Sequence, residues 1–502
     1  MSFASRFAVP LLVLAPFIAA TPARADTTAD GAAALQAQIR AWVAGLTGPA
    51  VDLGSHAVRV TPAGDAYRFE LPLTGPVGNT GWVITGEPIT AIAKPLDKGA
   101  WTITSIQLPT PLRVDRTEAP DGKPYSWMLA LAGQQVHGQF DPTLATGSRF
   151  EGTLRGYSSL SQTAAGTHSS HYDRYVWNGS WVPAGDGRVT VSNQVQGHNL
   201  TVFIDAAARN RSITATVGTI RSSGRIERLS FERLGAIVRT VSGLVPTATQ
   251  AASTAAVPNS IAPDDRTRLH DLVAALRDLL GGVQAQTKLE RIRVDVGGQR
   301  GTLASLTIGS HAAAPGGMLD ASFNLAVEGF DSPLVPQGPL HDYLPRRIAL
   351  TPRVSGVPAD DLMSLLDRAI DGADKDSLQA EALGLLAKGP LKIGLEDVAI
   401  DLGAATLKAN GSVTIAAVDD IKGSARIDAV GLDTLIHSAN TVPQLASAAP
   451  FLIMLKGIGE QKGDTTTWNV TYADGHTEVN GTDLSALMPS SPATPDQPHV
   501  HK

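Results

Sequence analysis

Apolar and polar residues alternate with a period of two along much of this chain. The pattern is clearest at 67–73, 200–204, 421–427 and 468–472, where every second residue is apolar or small. A period of two places alternate side chains on opposite faces of a β-strand, so that one face is buried and the other meets water. Such strands are typical of antiparallel sheets. The sequence therefore predicts a β-dominated α+β fold built on long antiparallel sheets.

Short amphipathic helices interrupt the strands. Apolar residues recur at helical spacing over 35–46, 269–280, 362–370 and 378–386, and we expect these helices to pack on one face of the sheets. A further apolar segment, 446–458, is interrupted by Pro, Lys and Gly. It is shorter than the roughly 20 residues that a membrane-crossing helix needs, so it predicts a buried helix.

The domain organisation is predicted from a change in composition. Residues 246–263 have no charge and no periodicity, which is typical of a linker. They would join an N-terminal α+β half, 26–245, to a C-terminal α+β half, 264–488, with a disordered tail over 489–502. The alternative is one continuous sheet running through both halves.

The two halves also share a short similarity that predicts a duplicated unit. Residues 212–214 align with 412–414 and, one residue out of step, 225–226 align with 426–427. Chance similarity between two β-hairpins is the alternative explanation. Both explanations stay open at the level of the sequence.

One segment carries a resemblance to a known family. Residues 395–436, LEDVAIDLGAATLKANGSVTIAAVDDIKGSARIDAVGLDTLI, and the shorter segments 59–73, 350–362 and 474–484 consist of patterned small, apolar and Gly residues. They resemble an uncharacterised alphaproteobacterial periplasmic family, a domain of unknown function that is distantly similar to AsmA-like envelope proteins. The resemblance implies long curved antiparallel sheets with helices against one face, located in the cell envelope. It implies no catalytic residues.

The N-terminus has the features of a cleavable export signal. Arg6 precedes an uncharged apolar run, Phe7 to Ala20, and Ala23 and Ala25 are small residues at the positions that a signal peptidase recognises,. We expect residues 1–25 to be removed after Ala25 and the mature protein to reside in the periplasm, where it would not be an integral membrane protein.

Composition excludes several classes of function. The chain has no Cys, and so it has neither a lipoprotein attachment site nor a disulfide framework. The formal net charge of −6 argues against a general nucleic-acid binder,. A Gly-x-Ser-x-Gly elbow and an HExxH motif are both missing, and the Gly-rich segment 297–301 is predicted to be a strand turn. We therefore predict no enzyme and no catalytic, cofactor-binding or metal-binding residue.

The polar segment 158–187 contains the candidate metal-binding residues and the candidate aromatic contact residues. His168, His171 and Asp173 are metal-ligand types, but their Ser-rich context favours a solvated loop. Aromatic residues on such a segment could stack on a ligand or anchor a partner, or could belong to a long hairpin whose rings cover the sheet below, which we favour. The aromatic candidates for ligand or partner contact are Tyr172, Tyr175, Trp177 and Trp181.

Arginines are concentrated between residues 209 and 239 on this otherwise acidic chain. Arg221, Arg225 and Arg228 could meet lipid phosphates or a polyanionic glycan. The alternative, which we favour, is that they form the solvent-facing side of a strand.

These features favour an exported, non-enzymatic envelope protein that binds a lipid-like or other apolar ligand. A scaffold that engages an envelope partner through segment 158–187 is a second hypothesis. A glycan hydrolase is a third, because its paired carboxylates meet in space and leave no sequence motif.

Overall fold

The structure is a computed structural model, and it confirms the β-dominated antiparallel architecture with short helices. The sheet is not closed. The predicted signal peptide, the linker residues 246–262 and the tail 489–502 lie outside the described residues. The structure describes residues 27–37, 58–76, 82–96, 100–116, 125–141, 146–163, 166–206, 211–237, 240, 263–277, 279–332, 343–417 and 419–484.

The chain forms two compact units. The first unit is Met1–Val335 with Pro358–Ala382, and the second is Pro336–Val357 with Leu383–Lys502. The strands of the first unit are β1 (Arg59–Ala63), β2 (Ala66–Leu71), β3 (Gly75–Pro76), β4 (Trp82–Gly86), β5 (Ile89–Pro95), β6 (Trp101–Gln107), β7 (Leu112–Arg116), β8 (Tyr125–Ala130), β9 (Gly133–Asp141), β10 (Thr146–Thr163), β11 (Gly166–Gly185), β12 (Arg188–Ala206), β13 (Arg211–Ser230), β14 (Gly282–Val296), β15 (Gln299–Ala313) and β16 (Met318–Glu328).

Helices of the first unit are short. The described residues 29–37 form α1 and residues 231–237 form α2. The others are α3 (Pro263–Arg277), α4 (Ala359–Ile370) and α5 (Lys375–Lys388), in which the division between the units falls. Their positions confirm the helices predicted over 269–280, 362–370 and 378–386. Of the helix predicted over 35–46, only residues up to 37 are described.

Six consecutive long strands, β10 to β15, pair antiparallel with their neighbours, and β16 continues the ladder from β15. β13 pairs with β14 from Ile213↔Val296 to Glu227↔Gly282. Backbone hydrogen bonds therefore join the two sides of the predicted linker, and the compact units divide elsewhere than at 246–263. Composition suggested a boundary there, but it carries no information on which strands pair.

The alignment behind the predicted duplication does not match equivalent structure. Residues 212–226 lie on the single strand β13, whereas residues 412–427 include parts of two strands and the turn between them. The shared residues therefore occupy different positions in the ladder, and this similarity does not describe a repeated unit.

The core of the first unit lies at one end of the long strands. Phe150 of β10 and Trp181 of β11 meet edge to face, with ring centroids 5.5 Å apart. Leu35 of α1 is buried in the same cluster. The remaining buried members are Ala32, Val58, Val60, Tyr67, Phe69, Ala93, Trp101, Ile103, Phe140, Val189 and Leu229.

A line of left-handed residues crosses the long strands of the first unit at one level. Gly156, Asn199, Arg291 and Gly329, on or just after every second strand, have φ between 52° and 62°. Small residues face this line on two of the strands between, Gly218 on β13 and Ala304 on β15: an added Cβ on Gly218 would lie 2.5 Å from Arg291, and one on Gly329 would lie 2.6 Å from Ala304. We call this row the bulge line.

The bulge line shifts the alternation of side chains by one residue. The register stays one to one across this line, since Arg155↔Arg174 is followed by Tyr157↔Tyr172, so the change comes from the left-handed backbone of Gly156 and not from an extra residue. On β11, Tyr172 and Tyr175 are three residues apart yet have ring centroids only 5.7 Å apart. Because the shift falls at the same level on neighbouring strands, the apolar side chains stay on one face along the whole length of the sheet.

The second unit contains eight strands and two complete α-helices among its described residues. Its strands are β17 (Arg347–Pro358), β18 (Leu391–Asp401), β19 (Thr406–Ile415), β20 (Ile421–Val430), β21 (Glu460–Lys462), β22 (Thr465–Ala473), β23 (His476–Val479) and β24 (Thr482–Asp483). Its helices are α6 (Leu432–Thr441) and α7 (Ala449–Ile458). β17, β18, β19, β20 and β22 pair antiparallel in that order.

The prediction of a buried helix at 446–458 is wrong in part. The helix forms as α7, and its Leu452 and Leu455 pack against the core of this unit around Trp468. Phe451, at 57% exposure, and Met454, at 55%, face outward. The segment is apolar all round, and hydrophobicity alone could not indicate that a single layer of sheet buries only one side of it. None of the described helices has the length and hydrophobicity of a membrane-crossing helix.

The bulge line predicts that two alanine substitutions, both at glycines with positive φ, lower the free energy of unfolding by different amounts. Gly156→Ala and Gly187→Ala both place a Cβ at positive φ, which costs about 1–2 kcal/mol. Gly156→Ala also brings that Cβ to 2.7 Å from the Cβ of Ala132, whereas Gly187, in a turn, has open space. Equilibrium urea unfolding should show a further loss of about 1–3 kcal/mol for Gly156→Ala. Equal losses would contradict the role given to the bulge line.

Candidate functional site

Four aromatic rings form a chain on one face of the first unit. Tyr157 of β10 and Tyr172 of β11 have ring centroids 5.6 Å apart, Tyr172 and Tyr175 are 5.7 Å apart, and Tyr175 and Trp177 are 5.8 Å apart. An added Cβ on Gly152 would lie 2.2 Å from the Trp177 ring, so this glycine makes room for the indole. The aromatic candidates therefore lie on strands of a long hairpin, as the favoured interpretation expected, and segment 158–187 is not a loop.

Burial changes the chemistry of these phenols. It raises the pKa of Tyr172 to about 12, and the neighbouring Tyr175 and Tyr157 add to the increase. Burial also raises the pKa of Tyr175. The rings consequently act as a neutral, largely apolar surface at physiological pH. Trp181 is separate from this chain because it belongs to the buried core.

The same face continues across the sheet with apolar residues that nothing in the described part of the first unit covers fully. By register, Ile204 of β12, Ile308 of β15 and Phe323 of β16 lie on the face of the aromatic chain. They are 37%, 39% and 43% exposed. Strands present this much large apolar surface to water mainly where a ligand or partner binds.

The second unit has an open apolar face with a more definite shape. Val354, Ile393, Val413, Gly423 and Tyr472 lie directly opposite one another on five adjacent strands. Directly opposed residues share a face of the sheet. All four of the large side chains in this row are more than a third exposed.

The next row completes a furrow in this face. Leu395 of β18, at 46% exposure, lies opposite Gly411, which is followed across the sheet by Ala425 and Val470. Gly411, Gly423 and Ala425 form a floor of small residues on β19 and β20, which Val413 of β19 interrupts in the first row. Bulky residues of β18 and β22 stand on either side. We call this groove the apolar furrow.

Helices close one end of the apolar furrow. Leu432 and Leu435 of α6, with Leu452 and Leu455 of α7, pack on Trp468 of β22, whose indole N–H donates to the carbonyl of Leu455 at 2.9 Å. Val470 belongs to both the packed cluster and the furrow wall. The furrow is therefore a direct continuation of the hydrophobic core that no described residue of the second unit covers fully.

The candidate arginines lie on β13, and register places Arg221 and Arg225 on the polar face, opposite the aromatic chain. Each has an acidic partner: Arg221 bonds Glu290 at 2.7 Å and Arg225 bonds Glu227 at 2.9 Å. Arg228, with φ 53°, bonds Asp186 at 3.2 Å. The structure thus agrees with the solvent-facing interpretation and does not bring the arginines and aromatic rings into one site.

The metal-ligand types of β11 do not converge. His171 lies 3.2 Å from Asp173, which also accepts a hydrogen bond from Asn199 at 2.7 Å. His168 is three residues away on the same strand and points to the other face. Among the described residues, no group of three or more His, Asp or Glu side chains is placed to hold a metal ion.

Four carboxyl groups in the described part of the chain have a lowered pKa. A hydrolase of the proposed kind needs a desolvated carboxyl with a raised pKa. Hydrogen-bond donors instead lower the pKa of Asp65, Asp173, Glu290 and Asp428, chiefly Lys94, Asn199, Lys288 and Arg426 respectively.

Comparison of the chain with protein-family models, with curated proteins and with solved structures finds no match. The resemblance to AsmA-like envelope proteins therefore stays a prediction that rests on the segments quoted above.

The apolar furrow was not predicted from the sequence. Its signal is present in the alternation of Ile393 and Leu395 on one strand and in the small residues Gly411, Gly423 and Ala425 on the next two. Only the register shows that the small residues lie between the large ones.

A polar cluster joins α3 to α4 in the first unit. The Nδ1 of His270 lies 3.0 Å from Asp367 and its Nε2 lies 2.9 Å from Asp371. Arg277 donates to the other oxygen of Asp367 at 2.8 Å. The hydrogen bonds to Asp367, followed by those to Asp371, raise the pKa of His270, because both ring nitrogens face carboxylates.

This cluster predicts a pH dependence of stability. Since the pKa of His270 is raised on folding, its contribution is fully present below the ordinary histidine pKa of about 6.5 and is lost as the pH rises through the raised value. The free energy of unfolding of the native protein should exceed that of His270→Gln at pH 5.5, and the difference should shrink by pH 9. His311→Gln, at an exposed histidine, is the control for the substitution itself. A pH-independent difference for His270→Gln would contradict the prediction.

Proposed function

We propose that this protein is an exported, non-enzymatic protein of the bacterial periplasm that binds a lipid-like ligand on the open apolar face of its sheet. The apolar furrow is the observation that carries the proposal. Its small-residue floor and bulky walls fit an extended hydrocarbon chain better than a flat protein surface. The export signal over residues 1–25 supports the location.

The energetics favour a ligand in the furrow. Removing a large aliphatic side chain from water is worth about 1.5–3 kcal/mol. Ile393 and Leu395 remain 43% and 46% exposed, so part of that gain is available to a ligand that covers them. A chain-like ligand would also extend the packed cluster around Trp468, whose end at Val470 is already apolar.

The two other functions have less support. A scaffold acting through segment 158–187 needs that segment at a free surface, but its Trp181 is buried and its other three candidate rings stack along β11. A glycan hydrolase needs a desolvated carboxyl group with a raised pKa. Hydrogen-bond donors instead lower the pKa of the four carboxyl groups named above.

A charge placed in the furrow should abolish binding. Leu395→Glu puts a carboxylate against the hydrocarbon chain, and we expect affinity for the fluorescent fatty acid cis-parinaric acid to fall by roughly tenfold or more. Ser424→Glu is the matched control, because Ser424 is exposed on the opposite face of β20. It should leave the affinity unchanged.

Fluorescence titration measures the affinity of the native protein and of both variants for cis-parinaric acid. Leu395 is nearly half exposed, so the variant should fold, which circular dichroism checks. Absence of binding by the native protein, or equal binding by Leu395→Glu, would refute the furrow as the ligand site.

A further inference from the structure

The polar face of the first unit, opposite the aromatic chain, contains a depression of about 300 Å³. Its lining comes from the middle of β11, β12, β13 and β14. The proposed lipid site lies on apolar faces, so this depression is a separate feature and its chemistry has to be explained independently.

Amide and hydroxyl side chains line the depression in two adjacent rows. Asn178, Gln194, Ser223 and Gln286 lie directly opposite one another on four neighbouring strands. The second row lies two residues further along each strand and includes Arg225 and Gln284. Because the spacing is two residues, both rows are on the same face.

The four amides have no internal role. Asn178, Gln194, Gln284 and Gln286 are exposed. None of their side-chain amides has a hydrogen-bond partner among the described residues. Asn is also depleted in strands, where Thr and the aromatic and β-branched residues are favoured. The amides are therefore neither structural bonds nor the side chains that strand formation prefers.

The chemistry of this patch matches an uncharged, polyhydroxylated ligand. Each amide offers two donors and a carbonyl acceptor, which complements hydroxyl groups that donate and accept together. The one charged member, Arg225, is bonded to Glu227 at 2.9 Å, so the patch presents little net charge to a ligand. Phosphate or sulfate recognition would instead require free cations.

We propose that this amide patch binds a neutral oligosaccharide. The sugar would lie across the strands, with its hydroxyl groups bonded to the amides of β11, β12 and β14. This site is on the opposite face from the aromatic chain and belongs to the first unit alone. It goes beyond the proposed lipid binding and does not depend on it.

Isothermal titration of the full mature chain with three probes tests the proposal: maltohexaose and tetra-N-acetylchitotetraose as neutral oligosaccharides, and a heparin octasaccharide as the anionic one. We expect at least one neutral probe to bind and heparin to bind more weakly. The double variant Gln194→Ala/Gln286→Ala should weaken the neutral probe by roughly fivefold or more for each amide lost.

Gln299→Ala is the matched control, because it removes an exposed amide from the same sheet outside the depression. It should leave the affinity unchanged. All substituted side chains are exposed, so the variants should unfold at the temperature of the native protein. Failure of both neutral probes to bind at millimolar concentration would overturn the proposal. So would tighter binding of heparin, or an affinity that the double variant does not change. Loss of fatty-acid binding affects none of these outcomes.

Discussion

The structure depends on the alternation of apolar and polar side chains along strands that extend well beyond the described helices that cover them. A single sheet layer buries its apolar face only where another element packs on it. In the first unit that cover is concentrated around Trp181 and Leu35, and in the second around Trp468. Away from these clusters the apolar face continues, with Phe323 and Leu395 nearly half exposed.

The bulge line makes such a face achievable over long strands. A strand of 20 residues, such as β11 or β13, must bend and twist to stay in register with its neighbours. One left-handed residue on a strand would move every later side chain to the other face. Placing Gly156, Asn199 and Arg291 at one level allows the bend while keeping the face continuous, which is why the aromatic chain passes through it unbroken.

Much of this fold could be predicted from the sequence, because the period of two is a local property. The strands at 67–71, 421–427 and 468–472 and the helix at 362–370 lie where their patterns predicted. The secondary structure of segment 158–187 was harder to predict, because its polar residues are typical of a loop while its aromatic residues occupy a strand. The pairing of β13 with β14 was beyond reach, because backbone hydrogen bonds between distant segments leave no compositional signal.

The candidate site, too, could be predicted only in part from the sequence. Tyr172, Tyr175 and Trp177 share one surface, as their grouping suggested, and the arginines lie on the opposite face with acidic partners. Gly411 and Gly423 look unremarkable in the sequence. They become the floor of a furrow only when the register places Ile393 and Leu395 beside them.

Native mass spectrometry of the protein purified from the cells that produce it naturally tests the central claim most directly, since it detects whatever occupies the open apolar face. The account predicts a co-purified apolar small molecule that dissociates on collisional activation and is released by organic extraction. Protein that is reproducibly free of any such ligand would contradict it.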